Sequence, residues 1–530
     1  MQFRHDGLYP SRRSPVLARN VVAASQPLAT QAGLRMLARG GNAMDAALAA
    51  AITLTVVEPT GNGIGSDAYC ILWDGRELHG LNASGRSPAA WTPQRFAGHT
   101  AFPRRGWESV TVPGAVSAWV DLSEKFGKLP FEELFEPAIE YAENGFLVSP
   151  VIAELWRLGA EELHTQPGFA ECFMPGGRAP AAGELFRAPG HAYSLRLIAQ
   201  TRGEAFYRGE LAQRIAAFAR EHNAVLTEAD MAAHKNDWCG TIHQDFGDTA
   251  LHEIPPNGQG IAALMALGIM QAAGTEGLAL DSADAFHLQI EATKLAFADV
   301  YAYAADLDYM REVTVAHLLA PAYLASRAKL IDRNKAQDFG AGAPTTGGTV
   351  CLSTGDADGM MVSYIQSNYS GFGSGVVVPG TGISLQNRGF GFVLTEGHPN
   401  QVGPSKRPFQ TIIPGFVMKG AEPLMAFGLM GGPMQAQGHL QMMLRMQLWN
   451  QDPQTAADAP RWRYVAGLKV AIETTVPDDV AADLASRGHV LEREPPDSAF
   501  GFGGAQLVRK VEGGYVAGSD PRKDGHAAGF

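Results

Sequence analysis

Residues 347–375 read GGTVCLSTGDADGMMVSYIQSNYSGFGSG, and this stretch constrains the fold more than any other. Val350-Cys351-Leu352-Ser353 alternates apolar and small residues, Asp358-Gly359 is a strong turn dipeptide, and Met360 to Ile365 is strand-prone. Together they predict a β-hairpin. A three-residue loop over 357–359, with Gly359 left-handed, sets Asp356 against Met360 and Thr349 against Ser367 on one face of the ladder. A two-residue loop instead sets Thr349 against Gln366 and turns Ser367 to the other face. The first register brings two hydroxyls together at the mouth of a sheet, directly after Gly347-Gly348.

Gly-Gly-Thr ahead of a strand has two readings. In one it is a loop ending, with Thr349 chosen for β propensity. In the other, Thr349 attacks the Gly348 carbonyl, passes through an ester, and is released with a free α-amine beside its own hydroxyl. Such an amine ionises near 7.7–8.0 and serves as general base without a histidine. Glycine at 347 and 348 lets the backbone take the distorted geometry of the attack. The hairpin by itself does not choose between them.

The rest of the chain adds an ordered set of motifs. Gly40-Gly-Asn-Ala-Met-Asp-Ala46 stands near the N-terminus. After the hairpin come Gly382-Ile-Ser-Leu-Gln-Asn387, Gly403-Pro-Ser-Lys-Arg-Pro408, Gly428-Leu-Met-Gly-Gly432, Asp458-Ala-Pro-Arg461 and Ser519-Asp-Pro-Arg522. With these motifs the whole chain resembles the γ-glutamyltranspeptidase (glutathione hydrolase) family of N-terminal nucleophile hydrolases. The resemblance implies an α+β, four-layer αββα sandwich, made as one precursor and cut into residues 1–348 and 349–530.

It also implies site roles. Thr349 is the nucleophile, its α-amine the base, Ser367 a second hydroxyl supporting that amine, and the Gly431 and Gly432 N–H groups the oxyanion hole. Arg86 corresponds to the arginine that holds the substrate α-carboxylate, the alternative being a surface arginine in a turn. Asn387 hydrogen-bonds the donor, and Gln410 and Thr411 stand beside the carboxylate. Thr345 and Thr346 are rejected as nucleophiles because they precede Gly-Gly rather than a strand. The chain departs from the family pattern at Gly391, where an aspartate should bind the donor amine, and at Arg388, usually a neutral position. Its 392–403 segment is also short, which implies a truncated or missing lid.

The implied activity is hydrolysis or transfer of γ-glutamyl amides, with water or an amine as acceptor. The alternatives are an amidohydrolase of another carboxylated acyl group, such as oxamate or a glutaryl side chain, and an uncleaved, inactive ligand-binding relative. The implied partners are the two chains of one precursor, with an oligomer of that pair left open.

Composition fits a soluble enzyme: 46% of the 530 residues are hydrophobic and 18% charged. A net charge of −12 argues against nucleic-acid or anionic-membrane partners. Cys70, Cys172, Cys239 and Cys351 show no metal or redox spacing, so reduced thiols are expected. No cofactor motif is present: Thr60-Gly-Asn-Gly-Ile-Gly-Ser66 lacks the spacing of a nucleotide loop. The basic N-terminus carries no apolar run behind it, and the apolar run 46–57 is shorter than the ~20 residues of a membrane span, so a cytoplasmic location is expected.

Further along, strands are expected at 21–24, 68–73, 77–81 and 109–112. Helices are expected near 27–39, from an Asn42 cap to Val56, to Phe126 from Pro113-Gly114, and at 131–143 and 150–158. Others fit 194–202, 210–221, 260–273 and 284–304. Asp45 is read as a first-turn carboxylate favouring the helix dipole. His287 and Glu291, four apart, are read as a helix-surface pair rather than metal ligands. Residues 335–346 read as a mobile tether.

Overall fold

The structure is a computed structural model and describes residues 12–339, 348–499 and 501–530. Of the expected tether, 340–346 lie outside the described residues, as does Gly347.

The expected hairpin forms the middle of a seven-stranded antiparallel sheet. In order its strands are His526–Gly529, Val21–Ala24, Gly348–Gly355, Met361–Tyr369, Asp67–Trp73, Leu78–Ala83 and Asp237–Trp238. Pairing runs from Val350 opposite Gln366 to Gly355 opposite Met361. Asp356 N–H closes the turn on the Met360 carbonyl at 3.1 Å, and Gly359 turns at φ +97°. This is the three-residue-loop register. The ladder slips at its open end, where Gly348 faces Tyr369, so Thr349 sits in an irregularity between two pairs.

A second seven-stranded sheet runs Val16–Ala18, Gly514–Ser519, Gly504–Val511, Glu422–Met430, Pro414–Lys419, Thr249–Glu253 and Ile242–Phe246. Apolar side chains of both sheets meet in one core: Tyr69, Ile71, Cys351 and Ile365 from the first, Phe416, Ala426, Val508 and Ala517 from the second. The opposite face of the first sheet packs on the Ala43–Val57 helix. That helix is buried on all sides, its alanines allowing close approach to the strands. The second sheet packs its other face on the Gly260–Ala273 and Met434–Met443 helices, and the Ala283–Tyr303 helix packs on the first of these.

Asn42 and Asp45 form a reciprocal capping box at the buried helix's start, and Asp45 also accepts the Lys128 and Leu129 N–H groups. Its role is structural. Several expectations change, and the helices expected at 150–158 and 194–202 are longer, Pro150–Leu163 and Pro189–Thr201. Residues 109–112 are not a strand: a 3-10 turn at Trp107–Ser109 precedes them, and Val112 N–H bonds a single loop carbonyl, that of Arg86. The helix expected over 131–143 divides into a 3-10 turn, Phe131–Phe135, and a helix, Glu136–Asn144, because Pro137 supplies no N–H to bridge them. Among the described residues no helix is long and apolar enough to cross a membrane.

Candidate active site

Three segments converge on Thr349. Its Oγ1 lies 3.1 Å from Ser367 Oγ across the hairpin. Gln435, from the first turn of the Met434–Met443 helix, brings Nε2 to 3.3 Å from the same Oγ1. The glycine-rich turn of residues 60–66 packs from a third side, and a Cβ on Gly61 would stand 3.2 Å from the Thr349 carbonyl oxygen. Glycine there serves close backbone approach rather than phosphate binding. Thr349, Ser367 and Gln435 are all fully buried.

Gly431 and Gly432 follow the Glu422–Met430 strand with φ of +119° and +61°, backbone that only glycine adopts readily. Their carbonyls accept the first N–H groups of the next helix, and Gly432 also accepts Gln259 Nε2 at 2.8 Å. Their own N–H groups donate to no protein acceptor among the described residues. Gln259 also bonds the Thr411 carbonyl at 2.6 Å, so one amide ties the Gly431-Gly432 turn to the 410–411 segment.

Arg388 is the unusual charge here. Its side chain is 1% exposed and makes no ion pair within 4 Å among the described residues. Nη1 donates to Thr411 Oγ1 at 2.9 Å, while Nε and Nη2 have no partner. The guanidinium lies 4.9 Å over the ring of Tyr369, whose backbone is held left-handed at φ +79°. Burial pulls the Arg388 pKa down to about 10, with Asp67 nearby opposing the shift.

Asp67 stands opposite Ser367 in the next strand pairing and is fully buried. Oδ1 accepts Gly85 N–H at 3.1 Å and Gly114 N–H at 3.0 Å, and Oδ2 accepts Gln410 Nε2 at 3.0 Å. Burial raises its pKa to about 6, against the pull of Arg388 and the two N–H bonds. Sequence reasoning missed Asp67, Gln259 and Gln435. Asp67 had the appearance of a turn residue at a strand start, and the two glutamines carried no local signal.

Residues 29–530 match the family model described as gamma-glutamyltranspeptidase. The chain belongs to that family. Across 98% of its length it is 35% identical to the oxamate amidohydrolase proenzyme of Klebsiella pneumoniae, covering 99% of that protein. It is 34% identical to the glutathione hydrolase-like YwrD proenzyme of Bacillus subtilis, over 98% of this chain and 100% of that one. The crystal structure of cephalosporin acylase from Bacillus halodurans superposes with a TM-score of 0.95 at 45% identity, over 100% of this chain and 99% of that one. Like its relatives, this gamma-glutamyltranspeptidase family member is a hydrolase or transferase of the N-terminal nucleophile type.

Other residues singled out in the sequence have these surroundings. A side chain on Gly391 would put Cβ 2.3 Å from the Phe409 carbonyl oxygen, so glycine is required there by backbone contact and the position has no room for the family aspartate. Glu396, the nearby acid, is exposed. Asn387 has its amide engaged: Nδ2 donates to Arg104 O and Ser370 Oγ, and Oδ1 accepts Ser370 N–H. Arg86 is half-exposed and bonded to Asp306 at 2.9 Å, with Asp237 at 3.8 Å. His287 and Glu291 are fully buried, not a surface pair. His287 Nδ1 meets His489 Nε2 at 2.8 Å, and Glu291 bonds Lys294 and the Gln337 N–H, so these groups satisfy one another. The Asp458–Arg461 and Ser519–Arg522 motifs meet in a buried network in which Asp520 pairs with Arg461 and Arg522.

Proposed function

We propose that this enzyme cleaves itself between Gly348 and Thr349, giving chains 1–348 and 349–530 of one four-layer αββα sandwich, and then hydrolyses amides whose acyl half carries a carboxylate. In the first step Thr349 Oγ1 bonds the Gly348 carbonyl carbon, the peptide C–N bond breaks, and the Thr349 nitrogen takes the hydroxyl proton. Water then cleaves the ester and leaves a free α-amine. In turnover that amine takes the Oγ1 proton as Oγ1 bonds the substrate carbonyl, and the oxyanion faces the free Gly431 and Gly432 N–H groups. The leaving amine takes the proton, and water, or an acceptor amine, resolves the acyl-enzyme.

The observation that carries the substrate class is Arg388, a buried guanidinium with Nε and Nη2 unpartnered. An uncompensated buried charge is strongly unfavourable, and the Nε/Nη2 edge matches a carboxylate in bidentate geometry. Acyl groups of the γ-glutamyl, glutaryl and oxamyl type all offer that carboxylate. Arg388→Met is expected to lower kcat/KM for a glutaryl anilide by about 10- to 150-fold, with little change for the uncharged acyl analogue. Arg388→Lys should restore only part of the loss, since lysine has no bidentate edge. Equal loss on charged and uncharged substrates would remove Arg388 as the anchor.

A γ-glutamyl donor adds an ammonium, and a specific feature favours it as the second reading. Asp67 Oδ2 carries a single hydrogen bond, leaving an acceptor site open close to Arg388. A strong preference for γ-glutamyl over glutaryl anilide, abolished in Asp67→Asn, would establish this narrower substrate.

A further inference from the structure

We propose that Gln435 is a catalytic residue of this site, donating a hydrogen bond to the Thr349 hydroxyl oxygen in each step in which that oxygen carries negative charge; the inference rests on Thr349 being the nucleophile. Gln435 is the second residue of the helix that follows the Gly431-Gly432 turn, and it is fully buried. The orientation of its amide is fixed from behind: Ile413 N–H donates to Oε1 at 3.0 Å, which leaves the Nε2 donors facing forward. One of them points at Thr349 Oγ1, 3.3 Å away. On the other side of that oxygen, Ser367 Oγ already accepts the Tyr369 N–H at 2.8 Å. Oγ1 is therefore flanked by an amide donor and a hydroxyl that is itself oriented by the backbone.

The charge on Oγ1 changes through the reaction. It rises as the hydroxyl proton leaves and Oγ1 attacks, falls in the ester, and rises again when water expels Oγ1 as the leaving group. A fixed N–H donor stabilises both rises and gains little in the ester ground state, the differential binding that speeds a chemical step. The same holds for self-cleavage, in which Oγ1 is first nucleophile and then leaving group. Substrate does not touch Gln435 in this scheme, so KM should stay near its wild-type value.

The test uses two variants of the full chain. Gln435→Met keeps the volume and removes both hydrogen bonds, whereas Gln435→Glu keeps the acceptor for Ile413 N–H and, ionised at pH 8.5, replaces the donor by a negative charge. Both should slow self-cleavage and lower kcat about 10- to 100-fold, with KM within about threefold. Gln435→Glu should also move the midpoint of the pH profile upward, since a nearby carboxylate favours the ammonium form of the α-amine. Wild-type self-cleavage and kcat in Gln435→Glu would overturn the proposal, as would a loss seen only in Gln435→Met together with a lowered unfolding midpoint. Failure of the underlying reading looks different: Thr349→Ala would then retain activity, whatever the Gln435 variants do.

Discussion

The Thr349 hydroxyl lies within hydrogen-bond reach of the Ser367 hydroxyl and the Gln435 amide. The proposed α-amine base dictates the pH profile. The active form is the neutral amine, so kcat/KM should rise with pH through one ionisation near or below 7.7–8.0. Asp67 adds a second feature. Its folded pKa is raised to about 6, so its charge is complete above that value and is lost as pH falls through it. A steeper decline is expected below about pH 6, absent in Asp67→Asn. A pH–rate profile checks both, and a flat profile across pH 7–9 would contradict the amine base. The Thr349–Ser367 contact was readable from turn chemistry, because hairpin register is a local counting problem. Asp67 with Gln410, separated by 343 positions, and Gln435 with Thr349, separated by 86, were not readable, since only the packing of distant loops joins them. The reason for glycine at 391 was not readable either, since the carbonyl it must clear belongs to a different segment.

Among the elements, the ends of some helices were legible in the chain. The Glu210–Glu221 and Gly260–Ala273 helices begin and end at the expected residues. Burial was less legible, as the His287–His489 contact shows: a helix position four residues from an acid has the pattern of a solvated face until another segment covers it. The buried Asp520–Arg461–Arg522 network is the element-level counterpart, joining the Gly514–Ser519 strand to the turn before Trp462–Ala466. Burial alone would raise the Asp520 pKa, yet the two arginines hold it at about 2. A depressed folded pKa means stabilisation that is present above the unfolded value near 4 and is lost as pH falls through 2. Asp520→Asn should therefore destabilise the protein by about 3–5 kcal/mol at pH 7, because it strands the buried Arg461 guanidinium, while Arg522 keeps its bidentate pair with Glu473. Denaturant unfolding at pH 7 and pH 3 checks this. The gap between variant and wild type should narrow at the lower pH, and an unchanged gap would reassign the effect to packing.

On the scale of the whole molecule, the Gly348–Thr349 bond lies at the mouth of a strand flanked on both sides. Residues before it supply Val21–Ala24 and Asp67–Trp73 to the first sheet and Thr249–Glu253 to the second. Residues after it supply the hairpin between the first two, His526–Gly529 at that sheet's edge, and Pro414–Lys419 beside the third. Cutting this bond removes no ladder partner, so the two chains should co-elute in native buffer and separate only in denaturant. Separation in native buffer would contradict the interleaved sheets. The central claim is that Thr349 becomes the first residue of the smaller chain, and N-terminal sequencing of that chain tests it most directly. The expected result is Thr349-Val350-Cys351 at its start, with Thr349→Ala remaining a single inactive chain of 530 residues. A smaller chain beginning at any other residue, or an active enzyme that is never cut, would contradict it.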